Sequence, residues 1–324
     1  MTHEPGTLQQ FLLSELKSHP ERAELVMMMA DIATLGKLIS ARLSRAGLTG
    51  GRGYTDSSNV HDEAQAKLDI WSNNLCKSYL SSTGLFAALA SEEEESAVDL
   101  NNPDGKYIIA FDPLDGSANI DVNGGVGTIF SVHKKLDGVP AGDDKQFLQK
   151  GRDQVLAGYI FYGAATILIF SWGDGVHECT LDNDLGEFLL SSKTLQMPSE
   201  CPYYSFNEAY SPRISPADQK VLGNIKTKAD KLRWAGALVG DFHRNLLKGG
   251  IFFMPAFAES GSTDYKPKLR LTYEAKPMAF LAEQAGGVAM VDGQNVLDIQ
   301  PDLLHQRVSL LIGHKDVIKQ VQGG

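Results

Sequence analysis

Asp112 and Asp115 stand three positions apart where the apolar run 106–111 meets the turn Asp112-Pro113-Leu114-Asp115-Gly116-Ser117. Pro113 has no N–H for a sheet ladder, so the strand is expected to stop at Asp112, with Pro113 and Asp115-Gly116 turning the chain. Two carboxylates at such a turn can converge on a hard cation, and the amides of Gly116, Ser117 and Ala118 can hold a phosphate. An ordinary acidic turn closing a strand is the simpler account. A second acidic cluster weighs against it, because the apolar run 85–90 ends in Ser91-Glu92-Glu93-Glu94-Glu95. If the two strands are neighbours, Glu92, Glu93, Asp112 and Asp115 gather at the carboxyl edge of one sheet, where open α/β sheets place their sites. Carboxylates that close repel strongly unless cations bind among them. Oxygen donors with no His or Cys nearby point to magnesium or manganese. Farther on, Lys268-Leu269-Arg270-Leu271-Thr272-Tyr273-Glu274 alternates strictly. Period two puts Lys268, Arg270 and Glu274 on one face, which suits a phosphate beside a metal and equally the polar face of an edge strand.

Several elements must position these groups. Thr7 and Gln10 form a capping box for a first helix that Pro20 ends. A second helix runs from about Glu21, with Leu25, Met28, Met29, Ile32, Leu35, Ile39 and Leu43 at helical period and Gly47 as its stop. Residues 50–59, rich in Gly and Ser, read as a mobile loop that can act as a lid. A third helix is expected to start between Asn59 and Asp62, with Leu68, Trp71 and Leu75 as its stripe. Glu63 and Asp69 sit beside that stripe, where solvated carboxylates are the simpler account. Segments 155–162, 166–172, 175–181 and 187–190 are separated by tight-turn signals at meander spacing, so a largely antiparallel sheet follows. Pro198 to Pro202 marks a domain boundary, dividing the chain into 1–197 and 198–324. Pro216 opens a polar surface helix, 236–248 forms another ended by Gly249-Gly250, and Pro277 opens one that Gly286-Gly287 closes.

At 324 residues the chain can bury a large core in one or two domains. With 30 Lys and Arg against 40 Asp and Glu, its net charge of -10 argues against a nucleic-acid binder. Cys76, Cys179 and Cys201 are odd in number and form no C-x-x-C, which suits free thiols in a reducing compartment. No apolar run reaches membrane-spanning length and the first residues do not read as a signal peptide, so the cytoplasm is the expected location.

Ser91-Glu92-Glu93, the Asp112–Ser117 turn and Leu269-Arg270-Leu271-x-Tyr273-Glu274 together resemble class I fructose-1,6-bisphosphatase, of the lithium-sensitive, metal-dependent sugar phosphatases. The resemblance extends through Asn207-Glu208-Ala209-Tyr210, Asp241-Phe242-His243-Arg244, Pro277-Met278-Ala279-Phe280 with Glu283-Gln284-Ala285-Gly286-Gly287, and His305-Gln306-Arg307. It covers nearly the whole chain from the second helix onward. It implies a mixed α/β fold, a layered α/β/α/β/α sandwich with an N-terminal metal-binding and regulatory domain and a C-terminal sugar-phosphate domain. It implies metal ligation by Glu92, Glu93, Asp112, Asp115, Glu274 and the carbonyl of Leu114, with Mg2+ as the metal and Mn2+ as its substitute. Lys67-Leu68-Asp69 also matches, which makes Asp69, with Glu93, the pair that orients and deprotonates the attacking water. Glu63 falls where the family carries a loop acid that closes over the metals. The 1-phosphate is expected on Gly116 and Ser117. Lys268 faces the substrate, and Asn207, Tyr210 and Arg233 resemble the 6-phosphate clamp, with Arg233 reaching in from a neighbouring subunit of a homodimer or homotetramer.

The chain departs from the pattern at Ala118 for a usual Ser, at Arg22-Ala23-Glu24 and Lys134 in the AMP site, and at two positions of the clamp. Trp234 and Met254 stand where relatives carry Tyr, so two hydroxyl donors are missing from the clamp, each contributing about 0.5–1.5 kcal/mol in an ordinary hydrogen bond. The implied reaction is hydrolysis of fructose 1,6-bisphosphate to fructose 6-phosphate and phosphate. Sedoheptulose 1,7-bisphosphate, alone or as a second substrate, is the alternative within the enzyme class. A sensor that binds metal and sugar phosphate without turnover is the alternative outside it. No membrane or nucleic-acid partner is implied.

Overall fold

A computed structural model describes residues 6–51, 53–58 and 64–323. The first helix, Leu8–Ser18, begins as its sequence requires. Thr7 Oγ1 accepts the Gln10 N–H at 3.1 Å, and Gln10 Oε1 accepts the Thr7 N–H at 3.0 Å. Pro20–Arg22 then forms a single 3-10 turn before the long helix Ala23–Leu43.

These two helices and Lys67–Ser82 cover one face of an eight-stranded sheet. From edge to edge its strands are Glu187–Leu195, Val176–Asp182, Thr166–Ser171, Gln154–Tyr162, Val126–Lys134, Tyr107–Asp115, Phe86–Ser91 and Val98–Asp99. The expected meander is present, because every pair from Tyr107–Asp115 out to Glu187–Leu195 is antiparallel. Successive residues of these strands serve two cores. Phe130 and Ile160 face the N-terminal helices, whereas Ile129 and Tyr159 face the opposite way. Strands buried on both faces read as continuous apolar runs, as these do.

The opposite face packs on helices Leu238–Lys248 and Lys276–Gln284, and these pack in turn on a six-stranded sheet. Its order is Lys231–Leu232, Tyr203–Ser205, Ile251–Met254, Leu310–His314, Gly287–Val291 and Gln294–Asn295. Phe252 and Met254 point to the middle layer, and Ile251 and Phe253 to the far side. On that far side lie helices Pro216–Lys228 and Lys315–Gln322, which complete five layers, α/β/α/β/α.

Four sequence expectations are corrected. The strand does not stop at Asp112; it runs Tyr107–Asp115 through Pro113. Asp112 pairs with Ile129 and Asp115 with Gly127, so three steps on one strand face two on the other. A β-bulge leaves one residue without a ladder partner, which is how a strand carries a proline. Residues expected as a loop include a strand, Tyr54–Ser58, paired antiparallel with Ala64–Ala66. The third helix therefore begins only at Lys67. The alternating segment 268–274 is a strand only over Leu269–Arg270; Leu271–Ala275 is a π-helical turn that leads into Lys276–Gln284. Thr272 and Glu274 are as buried as Leu271 and Tyr273, so the alternation separated two kinds of buried neighbour, not core from solvent.

Gly127 marks where the middle layer meets the first sheet. A Cβ there would stand 2.7 Å from the Ile160 carbonyl oxygen and 2.7 Å from Val239 Cγ1 of helix Leu238–Lys248. The carbonyl cannot rotate away without shifting the strand. Gly127→Ala is expected to destabilise the chain by about 1–3 kcal/mol, as overpacking does. A lower urea midpoint with an unchanged denaturant slope would bear this out, and an unchanged midpoint would contradict it.

Candidate active site

Phe86–Ser91 and Tyr107–Asp115 are parallel neighbours, so both acidic clusters do leave the same sheet edge. The Glu92 N–H reaches the Phe111 carbonyl at 3.2 Å and carries the pairing one residue past the strand, beside Asp112. The bulge has a further consequence. Residues three apart on a regular strand point to opposite faces. The extra residue lets Asp112 and Asp115 converge. Carboxylate oxygens of Asp112, Asp115 and Glu274 lie within 4.8 Å of one another, and all three residues are buried. Glu274 arrives from the π-helical turn, a distortion frequent at functional sites.

Each carboxylate is anchored. Asp112 Oδ1 accepts the Leu114 N–H at 2.9 Å. Asp115 Oδ2 accepts the Val239 N–H at 2.7 Å, in the first turn of helix Leu238–Lys248, where the helix dipole also favours an anion. Glu274 Oε2 accepts the Arg270 N–H at 2.6 Å. Glu92 Oε1 lies 3.0 Å from Arg270 Nη1, an ion pair almost closed to water. The acidic run divides its labour. Glu94 turns away to Asn73 Nδ2 at 2.6 Å and Lys77 Nζ at 2.8 Å, which fastens the edge to helix Lys67–Ser82.

Burial dominates the electrostatics. It raises the Asp112 carboxyl well above its usual range, with Glu92, Asp115 and Glu274 adding repulsion. Burial pushes Asp115 up to about 7, partly offset by the Val239 N–H. Glu274 is raised well above its usual value, first by burial and then by Glu92, with Arg270 opposing. Three hard oxygen donors that resist ionisation without a counter-charge fit a divalent cation of the magnesium type.

One cleft joins most of the expected residues. Asp69, buried on helix Lys67–Ser82, lines it together with Glu92, Glu93, Asp112, Leu114 and Asp115. Gly116, Ser117, Tyr210, Lys268 and Glu274 line it as well. Gly116 is left-handed (φ 76°), and a Cβ there would collide with Ala237, so only glycine lets the phosphate-type turn approach the middle layer. Asn207 and Arg233 are not among the lining residues. Asn207 Oδ1 caps the 3-10 turn Glu208–Arg213 through the Ala209 N–H. Arg233 is exposed, with its guanidinium 5.6 Å above the Tyr203 ring. Glu63 lies outside the described residues. Sequence reasoning missed the Glu92–Arg270 pair, for which the charge on the alternating face was the available signal. It also missed the Val239 amide on Asp115, which has no sequence signal because any non-proline residue supplies that donor.

The raised Asp115 carboxyl makes stability depend on pH. The folded state holds this proton more tightly than the unfolded chain, where the value is 3.8. Its contribution is therefore complete below that value and lost as pH rises to about 7. In a chelator, Asp115→Asn, which keeps an oxygen for Val239, is expected to raise the thermal midpoint at pH 8 and to lose that advantage toward pH 4. Saturating Mg2+ at pH 8 should reverse the order of the two proteins. An equal shift at both pH values would refute the assignment.

Comparison with known proteins covers both halves of the chain. Residues 6–193 match the family model for the fructose-1-6-bisphosphatase N-terminal domain, and residues 197–323 match that for the C-terminal domain. A class 1 fructose-1,6-bisphosphatase of Maridesulfovibrio salexigens is 41% identical over 331 residues, 99% of this chain and 97% of the relative. One of Leptospira biflexa is 43% identical over 326 residues, 97% and 95% of the two chains. The holo crystal structure of Leishmania major fructose-1,6-bisphosphatase superposes with a TM-score of 0.90 at 37% identity, covering 98% of each chain. Matched along both halves by one family and over nearly its full length by these relatives, the chain belongs to the class 1 fructose-1,6-bisphosphatases.

Proposed function

We infer that this chain is a phosphatase that hydrolyses fructose 1,6-bisphosphate, releasing the 1-phosphate and fructose 6-phosphate. The observation that carries the reading is the buried trio Asp112, Asp115 and Glu274, opening into the same cleft as Gly116, Ser117 and Lys268. Asp112, Asp115, Glu274, Glu92, Glu93 and the Leu114 carbonyl are the proposed metal-holding groups, with Mg2+ as the metal and Mn2+ as its substitute. When bound, the metal polarises the phosphoryl oxygens and lowers the pKa of the attacking water. Gly116 and Ser117 present their amides to the reacting phosphate. Asp69 and Glu93 orient the attacking water and take its proton. Glu63 is the proposed loop acid that closes the site.

Lys268 and Tyr210 face the far end of the substrate. Tyr210 is held for this by Phe257, stacked at 4.1 Å, and by Arg213 above its ring. Asn207 and Arg233 are proposed to complete the clamp. The exposed guanidinium of Arg233 favours a role in a second copy's cleft, and hence a homodimer or homotetramer. The proposed setting is the cytoplasm, in keeping with three free cysteines. Among the described residues no helix is long and apolar enough to cross a membrane. Trp234, Phe252 and Met254 make the distal wall apolar, which favours sedoheptulose 1,7-bisphosphate as an additional substrate. Asp69 and Glu93 on the same cleft favour turnover over a sensor, which needs no water-activating acids.

Phosphate release from both bisphosphates in the presence and absence of Mg2+ tests the reading. Glu93→Gln is expected to lower kcat by roughly 10²–10⁴, the range for loss of a general base. Asp115→Ala is expected to abolish turnover with the fold retained by circular dichroism. Near-normal rates for either variant in saturating Mg2+ would overturn these roles.

A further inference from the structure

The cleft has two ends that different parts of the chain build. The turn at Gly116–Ala118 lines it beside the carboxylates, and the turn 234–237 lines it with Trp234 and Gly236. A short run of hydrogen bonds joins them. Asn119 Nδ2 donates to the Ala235 carbonyl at 3.0 Å and to the Gly125 carbonyl at 3.2 Å. Asp241, fully buried, approaches the same turn from the other side. Its carboxylate accepts the Ala235 N–H at 2.9 Å and the Gly236 N–H at 3.2 Å, and Arg244 Nη1 stands 3.2 Å away. Ala235 is thus gripped through its carbonyl by one turn and through its N–H by the helix.

Capping alone does not account for Asp241. A capping side chain satisfies N–H groups of the helix's own first turn. Asp241 instead binds Ala235 and Gly236, which precede helix Leu238–Lys248. Its bonds shape the loop, not the helix end. Trp234 follows that backbone and stacks on Phe252 with ring centroids 6.1 Å apart and planes 18° from parallel. Moving Ala235 moves the distal wall relative to the phosphate turn.

We propose that Asp241 and Asn119 are positioning residues that set the distance between the two ends of the cleft, and so discriminate bisphosphates from sugar monophosphates. This rests on the bisphosphatase reading given above. Neither residue is among those that line the cleft. Their effect is to hold the distal wall where a second phosphate, joined to the first through the sugar, finds it in place.

The test compares fructose 1,6-bisphosphate with fructose 1-phosphate, which has the same reacting group and no distal phosphate. Asp241→Asn leaves a single acceptor oxygen and turns an NH2 toward backbone N–H groups. It is expected to raise KM for the bisphosphate about tenfold with a much smaller change in kcat, equivalent to about 1.4 kcal/mol of binding. The ratio of kcat/KM for the two substrates should fall in step. A purely structural role would lower both rates together and leave the ratio unchanged, and that result overturns the proposal. Asn119→Ala acts on the other side of Ala235 and should lower the same ratio; it decides the matter if Asp241→Asn does not fold. Because both side chains hold one residue, the double variant is expected to lower the ratio by less than the product of the singles. Absence of wild-type turnover would overturn the bisphosphatase reading and this inference with it. Wild-type turnover with an unchanged ratio overturns this inference alone.

Discussion

Three carboxylates taken out of water into one small space repel one another and lose their hydration, and the surrounding structure is built to tolerate that. Asp112, Asp115 and Glu274 come from two segments more than 150 residues apart in the chain. Each is held by a backbone N–H, a donor that costs no side-chain entropy to place. Of the positive charges brought against this acidic edge, Arg270 is engaged by Glu92 at 3.0 Å and Lys77 by Glu94 at 2.8 Å. The trio is therefore left short of positive charge. That deficit suits a divalent cation among Asp112, Asp115 and Glu274.

The layered fold follows from the need to bring those segments together. The first sheet supplies a parallel pair of strands whose carboxyl ends carry the acids, and the bulge at Pro113 turns Asp112 and Asp115 the same way. The middle helices supply what the sheet cannot. One presents its N-terminal amide to Asp115, and the other is preceded by the π-helical turn that delivers Glu274. Close packing at Gly116 and Gly127 keeps sheet and helix near enough for both contacts. A site assembled from both sides of one packed interface depends on that packing, because small displacements there separate the carboxylates.

The distal end follows different physics. It has few charges of its own, an aromatic and thioether wall, and a backbone turn that accepts a hydrogen bond from Asn119 and donates one to Asp241. The turn that begins at Gly116 and the turn that carries Trp234 meet at Ala235, whose carbonyl accepts from Asn119. Lys268 lines the same cleft and is exposed.

Much of this was legible in the residues themselves. The capping box at Thr7 and Gln10, the antiparallel meander after residue 155 and the acids at the ends of two neighbouring strands all depend on local type and spacing, which a chain carries wherever it folds. The turn Asp112–Ser117, taken together with Glu92 and Glu93, pointed to phosphate and hard-metal chemistry. Tertiary structure decided the rest. Pro113 reads as a stop, yet a bulge accommodates it because the opposing strand offers one residue fewer. Alternation at 268–274 reads as a strand, yet burial of every residue from Leu269 to Glu274 removed the solvent-facing side that alternation reports. The Glu92–Arg270 pair, the Val239 amide on Asp115 and the bond from Asn119 to the Ala235 carbonyl join residues distant in sequence, two of them through backbone groups that carry no sequence signal. Sequence by itself determined which chemical groups were available; only packing decided which of them face one another, because proximity between distant segments is a property of the folded layers and not of any residue type.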